Sequence, residues 1–95
     1  MSILARFSSP ASADTTTEQY DEVVRRLQEQ EGGFPPDGLE FHCAFRVDGG
    51  VRVSEIWDSR AQFEAFGQRL MPLLAEAGIT VDPPEVFEVY NIVKR

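Results

Sequence analysis

Little in this chain can hold a metal, close a covalent bridge or grip a polyanion. There is one cysteine, Cys43, and one histidine, His42. No intrachain disulfide and no multi-cysteine zinc site can therefore form. Basic residues are also scarce, nine against sixteen acidic ones, for a net charge of −7. That balance disfavours nucleic acid and anionic membrane as partners, because both need a cationic surface. No apolar run comes near the roughly 20 residues of a membrane span. Before the small-residue stretch Ala11-Ser12-Ala13 the apolar segment Ile3 to Phe7 is interrupted by Arg6. It falls short of the about 7 to 15 residues of a secretory core segment. A reducing, cytoplasmic compartment is the expectation. A Gly-rich phosphate loop, a dinucleotide fingerprint and a catalytic triad motif are all missing, and no cofactor is expected. What remains is an ordinary globular composition, 42% hydrophobic and 26% charged, read as one domain over residues 1–95.

The pattern along the chain is regular. Residues 3–8 read as a strand stopped by Pro10. Thr15 and Glu18 have capping-box spacing, and Tyr20, Val23, Val24 and Leu27 follow at the i, i+3, i+4, i+7 spacing of one helix face. Gly32-Gly33 supplies a helix stop, and Pro35-Pro36 a rigid connection. Leu39 to Val47 and Val51 to Trp57 flank Asp48-Gly49-Gly50, a strong hairpin signal. Ser59 and Gln62 open a second helix with Phe63, Phe66, Leu70 and Leu74 on its buried stripe and Gly78 at its end. Pro72 lies inside it and should kink it near Leu70. Val86 to Val93 reads as the last strand. The order β-α-β-β-α-β is that of an α+β, ferredoxin-like fold, a four-stranded antiparallel sheet with both helices on one face.

A two-residue hairpin loop sorts the middle strands into two faces, pairing position 42 with 55 if Asp48-Gly49 is the loop and with 57 if Gly49-Gly50 is. Leu39, Phe41, Cys43, Phe45 and Val47 form the more apolar set, expected beneath the helices together with Phe87, Val89 and Val93. The open face is then expected to carry Arg6, His42, Val53, Glu55, Trp57, Val86, Glu88, Tyr90 and Ile92. Such a mixture of large apolar and ionisable groups would be shielded by a second copy of the chain, which makes a homodimer the expected assembly.

The segment Ser54-Glu55-Ile56-Trp57-Asp58-Ser59, the following Phe63-Glu64-Ala65-Phe66 and the element order resemble the dimeric α/β-barrel proteins, and among them the antibiotic biosynthesis monooxygenase-like proteins. The resemblance covers nearly the whole chain. It implies a dimer whose two sheets enclose a barrel, with a ligand cavity between sheet and helices or within the barrel. Relatives of that kind include cofactor-independent oxygenases, haem-degrading enzymes, isomerases and proteins of no known activity. In the monooxygenases a tryptophan matching Trp57 lines the substrate cavity. Many members carry a histidine just inside the second helix. Phe63 to Leu70 contains none, which counts against haem or metal chemistry here.

The candidate catalytic residues are His42 and Tyr90, and the candidate ligand contacts are Arg6, Glu55, Trp57 and Glu88. His42 suits a general base oriented by Glu55, or equally a structural hydrogen bond at a dimer interface. Trp57 suits either a flat wall for an aromatic ligand or an interface anchor. Glu88 and Tyr90 suit polarisation of a ligand hydroxyl, and Arg6 suits a carboxylate partner or an anion hook. Cys43 is expected in the core as an inert apolar group. Two functions stay open: a dimer that binds a small, mostly apolar molecule, and a cofactor-independent monooxygenase acting on an electron-rich aromatic substrate.

Overall fold

The computed structural model describes all 95 residues. β1 (Ile3–Phe7) leads through a single 3-10 turn at Ala11–Ala13 into α1 (Thr17–Glu29), followed by β2 (Leu39–Val47), β3 (Gly50–Trp57), α2 (Arg60–Glu76) and β4 (Glu85–Glu88). The strands form one antiparallel sheet in the order β2-β3-β1-β4. The hairpin partners β2 and β3 are adjacent, and the two helical crossovers leave β3 and β1 in the centre. No helix is long and apolar enough to cross a membrane.

Each element follows from local chemistry. Asp48 and Gly49 both have positive φ, 51° and 86°, as a two-residue turn of the type I′ kind requires. The hairpin therefore pairs Val47 with Gly50 and His42 with Glu55. α1 is capped by Thr16, whose hydroxyl accepts from the Gln19 N–H at 3.1 Å while the Gln19 side chain accepts from the Thr16 N–H at 2.9 Å. The capping box thus sits one residue after the expected Thr15–Glu18 pair, because the Thr15 hydroxyl is bonded to Ser9 instead. Ser59 caps α2 as expected, and that helix runs through Pro72 without ending. Outside, Arg25 and Arg26 of α1 bracket Glu22 and hold its carboxyl down at about 2.

Both helices pack on the sheet face that carries Ile3, Ala5 and Trp57. Val23 and Leu27 of α1 meet Phe63, Phe66, Leu73 and Leu74 of α2 there. Arg69 ties the roof together: its guanidinium lies over the Phe66 ring and donates to the Gly33 carbonyl at 2.8 Å. At the sheet's far end, Gly50 leaves room for Asp14, whose carboxylate occupies the space a Cβ would take. The Arg52 guanidinium beside Asp14 holds that carboxyl below its ordinary range.

The expected facing of three strands is reversed. Val51, Glu55 and Trp57 are buried beneath the helices, and His42 lies on that side too. Phe41, Cys43, Phe45 and Val47 are exposed on the open face. The count of apolar residues along β2 misleads because β2 is an edge strand, which the helices hardly cover. The central strand decides: pairing of Ala5 with Glu55 and Ile3 with Trp57 commits β3 to the buried side of β1. Leu39 still reaches the core, because an extra residue at Glu40 bulges β2 between Leu39 and Phe41 and restores the parity. Likewise Val86, opposite Ala5, packs inward, and Phe87 points outward. β4 ends at Glu88 rather than Val93, since Glu88 pairs with Ile3 and the partner strand begins there.

Candidate functional site

Four side chains from three elements form a continuous hydrogen-bonded chain under the helices. Glu55 and Trp57 stand two residues apart on β3 and so share a face. The Trp57 indole N–H donates to Glu55 Oε1 at 3.0 Å. His42, cross-strand from Glu55, places Nδ1 2.6 Å from Glu55 Oε2. Tyr20, from the buried stripe of α1, places its hydroxyl 2.7 Å from His42 Nε2. The Tyr20 and His42 rings are nearly parallel with centroids 6.0 Å apart, and the Phe34 edge closes on His42 at 5.1 Å.

Glu55 is only 2% exposed. A carboxylate removed from water is costly unless its lone pairs are engaged, and here each oxygen receives an N–H. Tyr20 is half-buried, and loss of water together with the nearby Glu55 charge raises its pKa above the ordinary phenol value. It is therefore a neutral hydroxyl around neutral pH.

Beside this chain lies a cavity of about 80 Å³, partly open to solvent, between the sheet and the two helices. Thirteen of its 18 lining residues are hydrophobic, so the walls are apolar. Tyr20, His42 and Glu55 are among its lining residues, as are Ser8, Ser9 and Thr15. The Ser9 and Thr15 hydroxyls are buried and lie 2.8 Å apart.

The structure brings together His42 and Glu55 as expected, but beneath the helices instead of on the open face. Trp57 is fully buried and is not part of the cavity wall; its indole packs on Phe63 and Phe66, with centroids at 5.9 and 5.3 Å. This differs from the cavity-lining role that the resemblance implies, because the indole is drawn down onto Glu55. Tyr90 is entirely exposed beyond β4, Glu88 is exposed at the end of β4, and Arg6 is exposed with its backbone paired to Ser54 and Glu85. None of these three lines the cavity. Tyr20 is absent from the expected set. Its signal is present, since a tyrosine on a buried helical stripe needs a polar partner, but the partner can be named only once His42 is known to face the helix.

Removing the acceptor at the centre of the chain should orphan two donors. Glu55→Ala is expected to lower the unfolding free energy by about 3 kcal/mol in urea titrations. Glu55→Gln should cost less, because its carbonyl still accepts from Trp57. An alanine variant as stable as the parent would show that this carboxylate does not organise the interior.

No family profile and no curated protein sequence matches the chain. Solved structures do. A candidate antibiotic biosynthesis monooxygenase from Deinococcus radiodurans superposes with a TM-score of 0.60 at 12% identity, covering 100% of this chain and 98% of the other. SnoaB, a cofactor-independent oxygenase from Streptomyces nogalater, gives 0.57 at 12% identity over 99% and 96% of the two chains. Rv0793 from Mycobacterium tuberculosis gives 0.52 at 16% identity over 98% and 95%. At such identities the likeness is one of architecture. The chain has the ferredoxin-like fold of the antibiotic biosynthesis monooxygenase structures, over its whole length.

Proposed function

We propose that this protein binds a small, largely apolar molecule in the cavity between its sheet and its helices, as a homodimer of single-domain protomers. The observation that carries the reading is an apolar chamber with a few polar side chains, Tyr20, His42 and Glu55 among them, at its lining, the combination expected of a small-molecule site. Orientation comes from those polar side chains and affinity from the apolar surround. A cytoplasmic setting belongs to the same reading, in keeping with the single unpaired cysteine.

The dimer rests on the open face. Phe41, Phe45 and Phe87 are 52%, 41% and 49% exposed, and Leu4 and Ile56 share their side of the sheet. A contiguous apolar surface of this kind marks an interface. A second copy offers the same patch and closes it by two-fold symmetry. The open face, now without His42, Glu55 and Trp57, is more apolar than the sequence suggested, so the support for pairing is stronger while the ligand chamber lies elsewhere.

One specific arrangement favours a second reading, cofactor-independent monooxygenation of an electron-rich aromatic. Tyr20, His42 and Glu55 stand in the order of a proton acceptor, a base and a carboxylate that orients the base. Such a set can take a proton from a phenolic ligand, and the resulting anion is electron-rich enough to react with dioxygen. His42 is the general base in this reading, and Tyr90, far out in solvent, has no part in it.

Three outcomes are expected. Naphthalene, used as a neutral aromatic probe, should bind in calorimetry, and Val24→Phe, which fills the chamber from α1, should weaken it at least tenfold while circular dichroism stays unchanged; unaltered binding would remove the chamber from the account. Sedimentation equilibrium should give a dimer at micromolar concentration and a monomer for Phe45→Glu, and a monomeric parent chain would refute pairing. An oxygen electrode should register uptake with polyphenols that His42→Ala abolishes; equal silence of both proteins would leave binding without oxygenation.

A further inference from the structure

Two cavities meet at a shared wall. Besides the chamber of about 80 Å³, a second cavity of about 380 Å³, partly open to solvent, is lined by the end of β1, one side of α2 and residues 81–84. Phe7, Phe66, Leu70 and Val81 line both. Phe63, Gly67 and Met71 line only the second, and Val23 and Val24 only the chamber. Size makes this arrangement matter. An apolar cavity that takes benzene measures about 150 Å³. The chamber is far below that, so an aromatic ring enters it only if a wall gives way.

Three of the four shared residues are held in place. Phe66 is buried, with the Phe34 and Trp57 rings at 6.2 and 5.3 Å and the Arg69 guanidinium 5.4 Å from its centroid. Phe7 packs on Phe63 at 5.9 Å, and its backbone pairs with Val53. Val81 lies between two anchored amides, since Ile79 donates to the Leu74 carbonyl and Asp82 to the Ser8 carbonyl, both at 2.9 Å. Leu70 is the member left to move. It is half-buried, one turn beyond Phe66 on α2 and two residues before Pro72. Proline has no N–H, so the helical bond that would reach back from position 72 to Gln68 is missing beside it.

We propose that Leu70 is a gate between the two cavities, and that the ligand is a neutral, apolar molecule larger than one aromatic ring, lying across both. This rests on the chamber being the binding site. With the Leu70 side chain swung aside the two spaces become one, and entry is through the larger, second cavity. Glu64 and Asp82 line that entrance, and neither cavity is lined by a lysine or an arginine. An anion therefore finds no counter-charge on the way in, and shedding its water is costly. Leu70 sets the rate of entry, and the second cavity sets the size of what is held.

Gly67 separates the two spaces experimentally. The position its Cβ would take is open, so Gly67→Leu fills the second cavity, leaves the chamber untouched and replaces a helix-interior glycine with a better helix former. In calorimetry the parent protein should bind naphthalene about tenfold more tightly than benzene, and 2-naphthoate about tenfold more weakly than naphthalene. Gly67→Leu should erase the advantage of naphthalene over benzene. In stopped-flow measurements of naphthalene fluorescence, Leu70→Ala should speed association and Gly67→Leu should slow it, each about tenfold. Naphthalene binding that Val24→Phe weakens and Gly67→Leu leaves unchanged in affinity and rate would place the ligand in the chamber alone and overturn the gate, as would an association rate unaltered by Leu70→Ala. Equal affinity for 2-naphthoate would overturn the assignment of a neutral ligand. Failure of naphthalene to bind the parent protein would overturn the gate and the chamber reading together.

Discussion

One buried carboxylate organises the polar chain beneath the helices. Glu55 sits on a central strand beneath two helices, where water cannot solvate it, and it is tolerated because Trp57 and His42 each supply an N–H. Those two bonds fix the indole and the imidazole, and the imidazole in turn fixes the hydroxyl of Tyr20. The same acceptor therefore also orders the His42 and Tyr20 side chains that line the chamber. Fold and site share a cause.

Trp57 illustrates how that constraint shapes the cavity. An indole free to turn would make a flat aromatic wall. Held by Glu55, it lies flush in the core and braces Phe66, and Phe66 forms the wall instead. The apolar lining and the polar chain are consequently separate layers, with Tyr20 and His42 at their junction. The Ser9–Thr15 pair stands where the segment after β1 crosses toward α1, its place secured by the Thr15 carbonyl, which accepts from the Val51 N–H at 2.9 Å.

The two faces of the sheet divide the work. The covered face holds the chamber, and the open face holds Phe41, Phe45 and Phe87. Both are apolar, which is why a tally of hydrophobic residues cannot tell them apart. A sheet in a monomer would show one oily side and one wet side. Of these two oily sides one lies under the helices and the other is exposed, and the proposed pairing rests on the exposed one.

Local chemistry by itself determined the element order, the Ser59 cap and a two-residue hairpin loop within Asp48-Gly49-Gly50, because periodicity and turn geometry act over a few residues; the choice of Asp48-Gly49, and with it the pairing of His42 with Glu55, came from the structure. Residue composition also ruled out an intrachain disulfide and a multi-cysteine metal site. Which side of the hairpin lies under the helices was decided only in three dimensions: alternation with period two gives two faces and no label for either, and the label comes from pairing β3 with β1. The length of β4 was likewise set by its partner strand, and the bulge at Glu40 by the need to bring Leu39 inward. Tyr20 joined the site for the same reason. A helix and an edge strand 22 residues apart met only when the sheet's covered side was chosen.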